Sequence, residues 1–219
     1  MKRSLAMLAL VAAFGCAGTP PAQPAQPAPL VHRFEHAEQW TKDLDDPARD
    51  AWQKPDEVVA AMHIADGMTV ADVGAGTGYF KAYLSGAVGR SGAVLAIDIE
   101  PDMVRYLADR ATREHLDNVR PLLATVDDPK LPARGVDRVL IVDTWHHIPA
   151  RASYLPKLAA GLKPGGTITI VDFTLDSPHG PPREHRIAPE SVIAELAGAA
   201  MKAERVAVPL PYQYVVIAH

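Results

Sequence analysis

Five short apolar runs rich in valine and isoleucine recur at residues 68–73, 93–98, 119–124, 137–143 and 167–172. Each is about the length of a buried strand, and helical patterns such as 101–115 and 151–162 lie between several of them. Strand–helix alternation predicts βαβ units and a parallel sheet covered on both faces. Two further runs, 203–208 and 213–218, flank a proline-rich turn and predict an antiparallel hairpin joined to that sheet. The expectation is an α/β chain with a doubly wound, mostly parallel sheet of seven strands.

Length and composition narrow the field further. With 219 residues, 48% hydrophobic and 22% charged, the chain suits one well-buried domain rather than two. A net charge of -4 offers no basic excess to neutralise phosphates, so no nucleic-acid partner is expected. The single cysteine excludes an internal disulfide and a thiolate-rich zinc site. Nine histidines raise the question of a metal, but none repeats at ligand spacing with Asp or Glu, and none is assigned.

Residues 1–18 read as a signal peptide. Lys2 and Arg3 precede an apolar run to Gly15 that is shorter than a membrane-spanning helix. The sequence Ala13-Phe14-Gly15-Cys16 resembles the lipobox of a bacterial lipoprotein, in which the cysteine is lipidated, although Phe14 departs from the small residue usual there. Cleavage near Ala17-Gly18 by ordinary secretion, or a start that is not cleaved, are the alternatives. Residues 19–30 hold five prolines among Ala and Gln and read as an extended spacer. Residues 31–66 form a helical cap: Phe34, Trp40, Leu44 and Trp52 are apolar anchors among charges, and Pro55 with Asp56 and Glu57 suits a helix start. The main domain is expected over 67–219. The expected location is a membrane-anchored lipoprotein facing the periplasm, or the cytoplasm if the start is no export signal.

The stretch "VADVGAGTGYF", residues 70–80, falls where a strand ends and a helix begins, the place where open α/β sheets bind ligands. Gly74, Gly76 and Gly78 let the backbone turn and approach a ligand closely. Asp72 lies two residues before the first glycine, and Asp98 ends the next strand run twenty residues after Gly78, at the spacing of a ribose-binding carboxylate. "DVGAGTG" with "AIDIEPDM" resembles the class I S-adenosylmethionine-dependent methyltransferases, over roughly residues 50–219. A nicotinamide-binding Rossmann protein fits less well. Its third glycine falls one position later, where this chain has Tyr79, and Asp72 would repel a pyrophosphate.

The resemblance implies a Rossmann-like domain with S-adenosyl-L-methionine as cofactor. It places Asp72, Gly74, Ala75, Gly76 and Gly78 around the methionine tail, Asp98 on the ribose, and Ile99 and Met103 beside the adenine. It also puts Asp127 at the adenine amino group, Asp128 there through its backbone, and Asp143 near the methionine end. Pro164-Gly165-Gly166 reads as a structural turn. His146 and His147 follow the fourth strand run, where a neutral imidazole can take a proton from an attacking hydroxyl or amine; alternatively they cap the following turn. Arg49 and Gln53 in the cap, and Arg186 after the fifth run, are candidate lid or substrate contacts or else solvated surface residues; His179 and His185 lie in the same loop as Arg186, which could fold over the substrate. The post-strand-five insert is short, so a small-molecule O or N acceptor is expected, with a monomer or weak dimer as the working unit. A degenerate, anchored binding module that has lost turnover is the competing reading.

Overall fold

The computed structural model describes residues 36–219. The expected signal peptide with Cys16, the spacer and the first residues of the cap lie outside that range. Seven strands form one sheet in the order β3-β2-β1-β4-β5-β7-β6. They are β1 (Thr69–Val73), β2 (Ala93–Asp98), β3 (Val119–Leu123), β4 (Val136–Val142), β5 (Leu162–Phe173), β6 (Ala203–Val206) and β7 (Gln213–Ala218). β1 to β5 pair in parallel, and β7 runs antiparallel between β5 and β6. The doubly wound α/β sheet with a C-terminal antiparallel hairpin is therefore present.

Among the described residues seven α-helices accompany the sheet: α1 (Ala37–Leu44), α2 (Arg49–Gln53), α3 (Pro55–Ala61), α4 (Lys81–Val88), α5 (Pro101–Arg113), α6 (Arg151–Gly161) and α7 (Pro189–Gly198). The period of two in β4 divides the core. Val139 and Ile141 pack with Leu155 and Leu158 of α6 and Val192 and Leu196 of α7. Leu140 and Val142 pack on the opposite face with Leu84 and Val88 of α4 and Leu107 of α5. Burial on both faces is why these strands read as continuous apolar runs rather than as alternating ones.

Helix starts follow the local chemistry. Pro55 and Pro101 stand in the first turns of α3 and α5, with Asp56, Glu57 and Asp102 at the positive ends of those helices. The Pro164-Gly165-Gly166 turn does not break the chain before the fifth strand. β5 runs through it from Leu162, and its register with β4 jumps from Val136↔Leu162 to Arg138↔Thr167, so the segment is a bulge.

α1 and α2 lie across the carboxyl ends of the strands, fastened mainly by polar links. Glu38 pairs with Arg105 at 2.9 Å, Asp45 with Arg110 at 2.7 Å, and Thr77 Oγ1 donates to Asp45 Oδ1 at 2.9 Å. The Tyr79 hydroxyl donates to Asp50. Ala37 is the buried residue of α1, and Gln53 that of α2.

Candidate active site

The strand ends and the cap enclose a cavity of about 980 Å³, large for a single ligand site. Its floor is the turn after β1. Gly74 has φ +79°, and a Cβ there would stand 2.3 Å from Thr144 Oγ1, so the close approach of the two loops requires glycine. Gly78, at φ +88°, is likewise pressed against Leu107. The N–H groups of Gly74 and Ala75 both donate to the Ile97 carbonyl at 2.9 Å, fixing the turn to β2.

Asp72 is 3% exposed, faces this cavity and has no hydrogen-bond partner among the described residues. Burial, with the charge of Asp98 added, pushes its pKa up to about 7. Asp98 is placed differently: its Oδ2 accepts the Gly76 N–H at 2.8 Å and its Oδ1 the Glu100 N–H at 3.0 Å. Burial raises its pKa, and these backbone bonds hold it back. Each oxygen keeps a lone pair for a further donor.

Ile99 (47% exposed) and Val126 (54% exposed) are large apolar side chains left open on the cavity wall, and Met103 is buried behind them. Asp127 and Asp128, expected at the adenine, are not among the residues of the cavity wall. The wall after β3 is made by Ala124, Thr125 and Val126. Thr125 Oγ1 donates to Asp127 Oδ1 at 2.8 Å, and Lys157 Nζ donates to the Asp127 carbonyl at 2.6 Å and to its Oδ2 at 3.4 Å, with the carboxylate exposed. The Asp128 N–H is already used by the Thr125 carbonyl at 3.1 Å, and its carboxylate by Lys130. A tight Thr125–Asp128 bridge, invisible as a motif, decides the matter.

At the end of β4 a second polar group gathers. Asp143 adopts φ 52°, an unfavourable conformation for a non-glycine residue at a site where its placement matters. Its Oδ2 accepts from Gln53 Nε2 at 2.9 Å, its Oδ1 accepts from Gln213 Nε2, and Arg49 approaches to 3.9 Å. Burial, reinforced by Asp172, raises its pKa to about 6. His146 is buried with Nδ1 2.9 Å from Asp172 Oδ1 and 3.0 Å from Oδ2. A carboxylate there requires the proton on Nδ1 and leaves Nε2 with the lone pair. Burial disfavours the imidazolium, but the hydrogen bond and charge of Asp172 outweigh it and raise the His146 pKa. His147 lies beside it, ring centroids 4.3 Å apart, and both rings line the cavity.

Arg49 and Gln53, expected as lid contacts, tie the cap to the site: the Arg49 guanidinium lies 4.2 Å over the Tyr79 ring and bonds Gln53 and the Leu44 carbonyl. Arg186 does not point at a ligand. It clamps the loop after β5 through the carbonyls of Pro181, Ser177, Leu175 and His179, at 2.6 to 3.2 Å. That loop brings His179 to the cavity wall, whereas His185 is not part of the wall. Asp172, Gln213 and Trp52 belong to the site although no motif marks them. The available signal was an aspartate ending each of several strand runs, as Asp98, Asp143 and Asp172 do.

A nucleoside with a cationic methionine tail fits these residues. Asp72 is a buried acid lacking a partner, the glycine turn admits close approach, Asp98 can accept two hydroxyls, and Ile99 with Val126 offers an apolar slot. Comparison with known proteins agrees. The family described as "Methyltransferase domain" matches residues 70–166. An uncharacterised methyltransferase of Mycobacterium tuberculosis is 36% identical over 131 residues, 59% of this chain and 50% of that one. An arsenite methyltransferase of Halobacterium salinarum is 26% identical over 140 residues, 64% of this chain and 35% of that one. The chain thus spans half or less of the length of these curated relatives. A crystal structure of an S-adenosylmethionine-dependent methyltransferase from Aquifex aeolicus superimposes with a TM-score of 0.79 at 32% identity, covering 85% of this chain and 98% of that one. Since nearly all of that protein is matched at 32% identity, this chain belongs to the S-adenosylmethionine-dependent methyltransferase family.

Proposed function

We propose that the protein transfers a methyl group from S-adenosylmethionine to a small-molecule acceptor, with His146 as general base and Asp172 as the residue that orients it. When bound, the cofactor supplies an electrophilic methyl on a sulfonium, and the electron pair of the carbon–sulfur bond leaves with sulfur as the acceptor atom forms its new bond. Asp72 would take the cationic tail, Asp98 the ribose hydroxyls, and Ile99 with Val126 the adenine faces. Asp143, held by Gln53 and Gln213, anchors the cap over the transfer site and excludes water. The observation that carries the proposal is that His146, paired with buried Asp172, is on the wall of the same cavity as the glycine turn. Positioning of donor and acceptor in such a pocket is worth about 7–11 kcal/mol, and a placed base adds about 10²- to 10⁴-fold in rate.

The test is formation of S-adenosylhomocysteine by the purified protein on a fractionated small-molecule extract. Label from trideuteromethyl donor should appear in one fraction, and His146→Gln should lower the rate by about 10²-fold or more. Cofactor binding without label transfer to any fraction would favour a binding module instead.

For location, the lipobox-like sequence ending at Cys16 supports export and lipid anchoring, with residues 19–30 as the tether. Membrane fractionation of the full chain should place it with membranes and Cys16→Ala should release it. A full-length product found soluble in the cytosol would overturn this reading.

A further inference from the structure

Resting on that reading, we infer that the methyl acceptor is a flat, uncharged aromatic compound bearing a hydroxyl, held against Trp52, Phe173 and His179. All three rings line the cavity. Trp52 and His179 stack with centroids 5.4 Å apart and planes 5° from parallel, and Phe173 stands 6.0 Å from Trp52. Tyr212 backs the group, 4.7 Å from His179. These rings come from three separate elements that also carry the polar site. Trp52 precedes Gln53, which holds Asp143; the Phe173 N–H donates to Asp172 Oδ1 at 2.8 Å. His179 is presented by the loop that Arg186 clamps. The aromatic wall is therefore beside the His146–Asp172 pair, not at the adenine end.

The charged groups at this end are engaged with one another, which favours an uncharged acceptor. Asp143 is met by two amides and faces Arg49, and Asp172 by the His146 ring and the Phe173 N–H. Neither of these two carboxylates is left bare for a substrate ammonium. The Arg186 guanidinium donates to loop carbonyls and Arg49 to Leu44 and Gln53, so neither presents a free bidentate face to an acidic substrate. A hydroxyl needs a base where a neutral amine does not, because a neutral hydroxyl oxygen is a weak nucleophile that gains strength as its proton leaves, whereas a neutral amine is already a good one. The hydroxyl proton passes to His146 Nε2, the oxygen takes the methyl carbon, and an aryl methyl ether, S-adenosylhomocysteine and a proton result. The base pair thus favours oxygen.

Calorimetry on the full chain saturated with S-adenosylhomocysteine tests this without turnover. The probes are 2-naphthol, its saturated counterpart 2-decalol, and 2-naphthylmethylammonium. Naphthol should bind roughly ten-fold more tightly than either of the others. His179→Ala and Phe173→Leu should each weaken it by roughly 2- to 10-fold, the loss of one ring contact, with S-adenosylhomocysteine affinity unchanged. Two variants guard against one failing to fold. The inference is overturned if naphthol gives no heat, if decalol or the ammonium binds as well, or if both variants bind naphthol like the parent. Absence of S-adenosylhomocysteine binding by the parent chain would instead remove the functional reading, and this inference with it.

Discussion

Replacing Asp72 by Asn separates what the fold wants from what the site needs. The wild-type carboxylate is 3% exposed with no partner among the described residues, and burial together with Asp98 raises its pKa from 3.8 to about 7. The folded state therefore keeps a proton that the unfolded state releases between those two values. Stability contributed by the protonated form is complete below pH 3.8 and is lost as pH rises towards 7. A shift of roughly 3 pH units at about 1.4 kcal/mol each gives an upper figure of about 4 kcal/mol above pH 7. Asn has the same shape and does not titrate. Asp72→Asn should thus match wild type in urea denaturation at pH 4 and exceed it by about 2–4 kcal/mol at pH 8. The same variant should bind S-adenosylmethionine roughly 100-fold more weakly, because the carboxylate is the counter-charge for the cationic tail. A variant less stable than wild type at pH 8, or a difference that does not change with pH, would refute the assignment of Asp72 as a strained, ligand-directed acid.

Three further outcomes can be checked. Asp172→Asn should remove the group that raises the His146 pKa, so the acid limb of the rate–pH profile moves to lower pH while the maximal rate falls by about 10²-fold; an unmoved limb would show that Asp172 does not orient the base. Gly74→Ala should destabilise the protein by about 1–3 kcal/mol in thermal unfolding, because the left-handed φ of +79° and the 2.3 Å approach to Thr144 act together. Asp127→Ala should leave cofactor affinity within about threefold of wild type by calorimetry, since its exposed side chain is directed to Thr125 and Lys157; such exposed contacts are worth about 0–1 kcal/mol.

The sheet and the glycine turn were legible because both are local. β2 and β7 run over the residues expected from their apolar runs, and the turn's glycines are demanded by backbone geometry within a few residues. The base pair was only half legible. His146 stands out by position, but Asp172 reaches it because the parallel register Val142↔Val171 sets Asp172, the next residue of β5, beside the turn that follows β4. Gln213 enters through the antiparallel pairing Phe173↔Gln213, a contact across the sheet that no single run reveals. Three expected residues lie off the cavity wall for a related reason. Asp127 and Asp128 are turned outward by the short Thr125–Asp128 bridge and by Lys157 from α6, and Arg186 is consumed by carbonyls of its own loop. Long polar side chains look like ligand contacts in sequence, whereas unpaired loop carbonyls compete for them in the fold.

Titration of S-adenosylmethionine into the full chain at pH 8, followed by calorimetry, tests the central claim most directly. The account predicts one site per chain, with the heat lost in Asp98→Ala while that variant still unfolds cooperatively, because the Asp98 carboxylate faces the same cavity as the glycine turn. No heat from the parent chain, or equal affinity in Asp98→Ala, would contradict it.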